Sequence, residues 1–185
     1  MPMAYTQQIL TNPKSGQTIK FLQTSRDTGG QLVEMESTLR GYSTEPPLHY
    51  HPFQDEKFSI IEGELTVRLN GVLKTFTSGS EFLVPRNTLH SMWNQSNDPV
   101  VMNWKVSPAL NTEHFFENTF GIAANGKTNE KGMPGILQIA LLANKYDNTF
   151  RLAKPPFYIQ KIIFSLLTPF AYLAGYRASY HKYMK

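Results

Sequence analysis

The chain has no cysteine among its 185 residues, so it can form neither a disulfide nor a thiolate metal site. Charged residues make up only 17% against 41% hydrophobic, a balance too apolar for a disordered chain and ordinary for a folded domain with a substantial core. There is no internal repeat and no low-complexity segment. The opening Met1-Pro2-Met3-Ala4-Tyr5-Thr6-Gln7-Gln8 lacks the basic and apolar regions of a secretory leader, which makes a cytoplasmic protein the expectation. The net charge of +4 is unevenly held: from Lys145 onward seven basic residues face one acid, Asp147, leaving residues 1–144 at −2. The basicity belongs to the C-terminal part, so no nucleic-acid partner is expected for the rest.

Two stretches carry the chemistry. The first runs His49-Tyr50-His51-Pro52-Phe53-Gln54-Asp55-Glu56 and on to Gly63; the second runs from Gly79 through Pro85, Arg86 and Asn87 to His90 and Asn94. On a strand, residues two apart share a face, so His49 and His51 point into one cavity. Three imidazoles and one carboxylate suit a divalent transition metal.

These stretches resemble the paired motifs of the cupin superfamily, G-x5-H-x-H-x3,4-E-x6-G and G-x5-P-x-G-x2-H-x3-N. His49, His51, Glu56 and Gly63 fit the first, and Gly79, Pro85, His90 and Asn94 fit the second. Two positions depart from the pattern. Gly41 stands seven residues ahead of His49 rather than five, and Asn87 replaces a glycine. Asparagine is the next-best residue for a left-handed backbone, so the turn at Asn87 is expected to survive. The resemblance covers about Thr18 to Val106. It implies a single-domain cupin of the conserved-barrel type, with His49, His51, Glu56 and His90 as metal ligands in the lumen of a small antiparallel barrel.

The strand pattern agrees. Val33, Met35, Ser37 and Leu39 alternate with Glu34 and Glu36, Glu56 to Ile61 alternates, and Asn70-Gly71 joins Leu65–Leu69 to Val72–Phe76 as a hairpin. The fold class is mainly β, a jelly-roll-like barrel over residues 1–108, followed by a helical extension over 109–185 that packs on the barrel or at a dimer interface. In the extension, Asn111-Thr112 caps a helix that Gly121 ends, Pro134 opens a second, Pro155-Pro156 a third, and Thr168-Pro169 a last one to about Tyr176.

Parity extends the site. If Glu56 points inward, so do Phe58 and Ile60; Val67 and Met92 join them as lining, with no Lys or Arg among them. An apolar lumen without a cationic clamp disfavours sugar phosphates and favours a hydrophobic or aromatic small molecule. Four protein ligands on an octahedral metal leave two positions, for substrate and for dioxygen or water. Iron is the first expectation, with Mn, Ni, Zn or Cu as alternatives, and Glu56 is the candidate catalytic base. The leading reading is a metal-dependent oxygenase. Cupins that resemble this chain also include isomerases, lyases and binding proteins without catalysis, so a sensor or carrier and a Lewis-acid isomerase or lyase stay open. His114 and His181 lie outside the motifs and read as surface residues.

Phe157 to Tyr176 is nearly all apolar. Pro169 and the polar Gln160, Lys161, Ser165 and Thr168 make it an amphipathic helix rather than a span. The stripe of Ile159, Ile162, Ile163, Leu166 and Leu167 is expected to pack on the barrel or across a homodimer interface, with Phe164 and Tyr172 on the other face. Contact with a membrane surface is the alternative.

Overall fold

A computed structural model of the chain describes residues 4–130 and 132–183. The first three residues of the segment read for a leader, and the terminal Lys185, lie outside the described residues. Ten strands precede the first helix: β1 Ile9–Asn12, β2 Gln17–Gln23, β3 Val33–Leu39, β4 His49–Tyr50, β5 Asp55–Glu62, β6 Glu64–Leu69, β7 Val72–Thr77, β8 Glu81–Val84, β9 His90–Trp93 and β10 Val100–Ser107. Helices α1 Thr112–Ala124, α2 Ile136–Lys145 and α3 Phe157–Leu173 follow, with a short strand, β11 Arg151–Leu152, between α2 and α3. One sheet runs β1-β2-β3-β10-β5-β8 and the other β11-β4-β9-β6-β7, with antiparallel neighbours throughout. The architecture is a jelly-roll-like barrel with C-terminal helices.

Alternation decides which residues fill the barrel. Along β3, Val33, Met35, Ser37 and Leu39 are buried while Glu34 and Glu36 are less so, as the period-2 reading requires. Leu39, Phe58, Val100 and Met102 from one sheet meet Leu65 and Val67 from the other in one core cluster. Each large apolar side chain buried in this way contributes roughly 1.5–3 kcal/mol. The Val33 end of the same face extends to Ile19, Phe21 and Val106, and there Phe116 and Phe120 of α1 cover it.

Turns hold the sheets in register. Asn70 and Gly71 both have positive φ, +47° and +87°, and pair Leu69 with Val72, the geometry of a two-residue hairpin. Asn87 takes the left-handed conformation at φ +63°, and its N–H donates to the His51 carbonyl at 2.8 Å, tying the two motifs together. Asn94, fully buried, donates to the Asp98 carbonyl and accepts from Ser96, which makes it a turn brace.

The extension differs from its sequence reading in four ways. Helix α1 runs past Gly121 to Ala124, and the glycine makes room for the Tyr183 ring, which a Cβ would approach to 2.3 Å. Pro169 does not open a new helix; it lies inside α3, where the Thr168 hydroxyl donates to the Phe164 carbonyl and accepts from Asn144 of α2. The helical region also supplies β11, which pairs with β4 as Arg151↔Tyr50 and Leu152↔His49.

Helix α3 does not lay Ile162, Ile163 and Leu166 on the barrel, the first of the two packings expected for its stripe. Its inward face is Gln160, Phe164 and Ala171, whereas Ile162, Ile163 and Leu166 are exposed. Gln160 is held inward by its amide, which donates to the carbonyls of Leu152 and Pro155 just ahead of the helix. Among the described residues, no helix is long and apolar enough to cross a membrane.

Candidate metal centre

Sheet pairing brings the two motifs together. His49 on β4 stands directly opposite His90 on β9, and His51 follows one residue beyond β4. Ring centroids are 4.3 Å apart for His49 and His90, 5.2 Å for His51 and His90, and 5.3 Å for His49 and His51. One ring nitrogen from each lies within 4.8 Å of the others, forming a group that can hold a metal ion.

All three rings are anchored alike. Nδ1 of His49 meets the Pro47 carbonyl at 2.8 Å, Nδ1 of His90 meets the Thr88 carbonyl at 2.9 Å, and Nδ1 of His51 meets the Thr149 carbonyl. A carbonyl can only accept, so each Nδ1 carries the proton and each Nε2 is left for the centre of the cluster. This is the tautomer and orientation that an Nε2-ligating histidine needs.

Glu56 enters from β5, fully buried, with Oε2 3.0 Å from His90 Nε2 and Oε1 3.3 Å from His51 Nε2. The Trp104 indole donates to Oε1 at 3.1 Å and fixes the carboxylate. Buried His51 Nε2 and Glu56 Oε2 make no hydrogen bond within the protein, and both face the cluster centre. Two orphaned buried atoms beside three aligned imidazoles fit a cation.

Electrostatics separates the members. Burial pushes the Glu56 carboxyl up, but the positive charge of His51 and the contact with His90 outweigh it, and the group falls to about 2. Burial, followed by the charges of His90 and His51, holds His49 well below its usual value. Burial also opposes the charged form of His90, yet its contact with Glu56 prevails and raises it. The carboxylate is thus ionised at neutral pH and His49 neutral, as metal ligation requires, while a cation would have to displace the proton that Glu56 favours on His90.

A cavity of about 220 Å³ opens over this cluster. Met92 and Trp104 of the barrel line it, together with Phe115 and Phe116 from α1 and Phe150 ahead of β11; no Lys or Arg is among its lining residues. Phe58, Ile60 and Val67 point into the barrel but lie deeper, in the packed cluster between the sheets, and do not line the cavity. Phe150 stacks on His49 at 4.6 Å and on Phe115 at 5.1 Å, so one ring touches both a histidine of the cluster and the helical roof. The sequence reading missed Phe115, Phe116 and Phe150, whose roles depend on packing of the last third of the chain. His114 is half-buried on α1, with its Nε2 enclosed, rather than at the surface. The side chain of His181 lies outside the described part.

Residues 37–106, which hold all four clustered residues, match the family model described as the Cupin domain. The chain carries a cupin domain. It is 28% identical over 141 residues to an oxidoreductase of Arthrobotrys oligospora, a match covering 71% of this chain and 50% of that protein. It is 29% identical over 153 residues to virH of Hypocrea virens, a probable oxidoreductase, covering 76% of this chain and 68% of the relative. Over 60 residues, 32% of this chain and 40% of the other, it is 37% identical to the tetracenomycin polyketide synthase protein TcmJ of Streptomyces glaucescens. The match thus spans half the length of the Arthrobotrys protein. The first two alignments are longer than the 70-residue span matched as a cupin domain.

Proposed function

We propose that this chain is a metal-dependent oxygenase acting on an apolar, aromatic small molecule. The observation that carries the reading is the common anchoring of the three Nδ1 atoms, which turns every Nε2 toward one point at the floor of an apolar cavity. His49, His51 and His90, with Glu56, would hold the metal, iron being the first choice for this ligand set. Bound there, it would supply Lewis acidity and redox chemistry.

The protein's own part is binding, orientation and proton handling. Phe115, Phe116 and Phe150 offer ring faces to a flat apolar substrate, and the absence of Lys and Arg from the lining leaves no clamp for a phosphate or carboxylate group. Glu56 at about 2 is a poor base. With the three Nε2 lone pairs engaged, the histidines are neutral and no longer pull on the carboxylate. Glu56 would then feel the cation's own charge instead, stay ionised as a ligand, and accept a proton from a phenolic or enolic substrate only when freed from the metal. The oxidoreductase names of two relatives support a redox reaction.

Elemental analysis of purified protein, followed by oxygen uptake with a panel of phenolic and polycyclic aromatic compounds, tests this. The expected result is about one equivalent of metal per chain and metal-dependent oxygen uptake. Less than about a tenth of an equivalent after reconstitution would overturn the metal site. A fully loaded protein that binds the aromatics without oxygen uptake would overturn the oxygenase and leave a ligand-binding cupin.

A further inference from the structure

The exposed face of α3 is not explained by the metal centre. Tyr158, Ile162, Leu166, Phe170 and Leu173 recur at helical spacing along it, and each is between 61% and 86% exposed. Ile163 and Tyr172 widen the stripe. The helix departs from an ordinary core helix: the polar Gln160 and Thr168 are turned inward and bonded beside Phe164, while most of the large apolar side chains face out. Lys161, whose side chain is 44% exposed, pairs with Asp147 at 2.7 Å.

Charge brackets this stripe. Exposed Lys154 stands just ahead of the helix, and exposed Arg177 closes its end, donating to the Tyr176 carbonyl at 2.8 Å. No Asp or Glu occurs from residue 148 to 185. An apolar strip with tyrosines near both ends, cations at both ends and no carboxylate complements an anionic, amphipathic surface.

Charge separates the two obvious occupants. Two copies meeting through this stripe would bring two acid-free cationic segments together. A helix lying in a lipid interface needs only its own apolar strip, sunk about 5–10 Å below the headgroups.

We infer that α3 docks the protein, flat and reversibly, on the surface of a membrane containing anionic lipids. The contact is peripheral, and it is independent of what the metal centre does.

Co-sedimentation of the full chain with large vesicles tests it, comparing phosphatidylcholine alone with phosphatidylcholine containing 30% phosphatidylserine (on the order of a plasma-membrane inner leaflet). The expected result is preferential binding to the anionic vesicles that weakens as salt rises. The Ile162→Glu/Leu166→Glu variant should lose at least tenfold in binding with its urea midpoint unchanged, since both side chains are exposed. Lys154→Glu, at an exposed position, should lose about fivefold or more on anionic vesicles alone. Failure to sediment with either vesicle overturns the proposal, as does equal binding to both. A wild-type dimer by light scattering that the double Glu variant converts to monomer also overturns it, and would assign the stripe to a second copy.

Discussion

The main-chain carbonyl of Thr149 accepts the Nδ1 proton of His51 from a distance of 98 residues along the chain. The cupin motif residues therefore do not finish the metal centre by themselves. The segment between α2 and β11 orients one histidine through Thr149 and packs against another through Phe150.

Replacing His51 with Ala removes one of three aligned imidazoles. Metal content by elemental analysis is expected to fall at least tenfold, and the same holds for His49 and His90. Withdrawal of metal with a chelator should lower the melting temperature of the wild-type protein, and its return should restore it, because a ligand held only by the folded state stabilises that state.

Trp104→Phe keeps an aromatic ring among Phe58 and Phe116 while deleting the donor to Glu56. Losing a hydrogen bond to a buried carboxylate costs about 1.5–3 kcal/mol, read as a lower urea midpoint. Metal content should stay near that of wild type, since no imidazole moves. Turnover should fall more than metal content, because the carboxylate is no longer held in one orientation.

Phe150→Ala removes the ring between His49 and Phe115. A loss of about 2–4 kcal/mol is expected, tempered by the partial exposure of this side chain. The neighbouring cavity of about 190 Å³ shares Phe115, Thr119 and Phe150 with the one over the metal centre. The variant should therefore accept bulkier aromatic compounds than wild type in a binding competition.

How much of this was visible in the sequence depends on the range of the interaction. The ligand spacing was legible because strand parity is local: His49 and His51 sit two apart, and Asn70-Gly71 and Asn87 announce their own backbone. Phe150, Phe115 and the two residues of β11 carry no local pattern; pairing with β4 and stacking on His49 define them. Helix α3 lies between these cases. Its period revealed an apolar stripe, but period alone cannot say which side of a helix is covered, and the bonds of Gln160 decided that.

Acid should also act on a site far from the candidate metal ligands. Hydrogen bonds from the Thr6 hydroxyl and from the backbone and hydroxyl of Thr24 hold the Asp27 carboxyl at about 2, below its ordinary 3.8. A depressed folded value contributes stability above the unfolded value, and that contribution is lost as pH falls through the folded one. The difference in urea midpoint between wild type and Asp27→Asn should therefore be constant near pH 6 and shrink between about pH 4 and 2.

The pairing of β11 with β4 also sets an order of events during synthesis. A chain leaving the ribosome N-terminus first can close its β-barrel while residues 149–152 are still inside the exit tunnel. Until those residues emerge and zip onto β4, His51 has no carbonyl to fix its tautomer. A metal held by this cluster would then meet its full set of oriented histidines only after residues 149–152 have emerged.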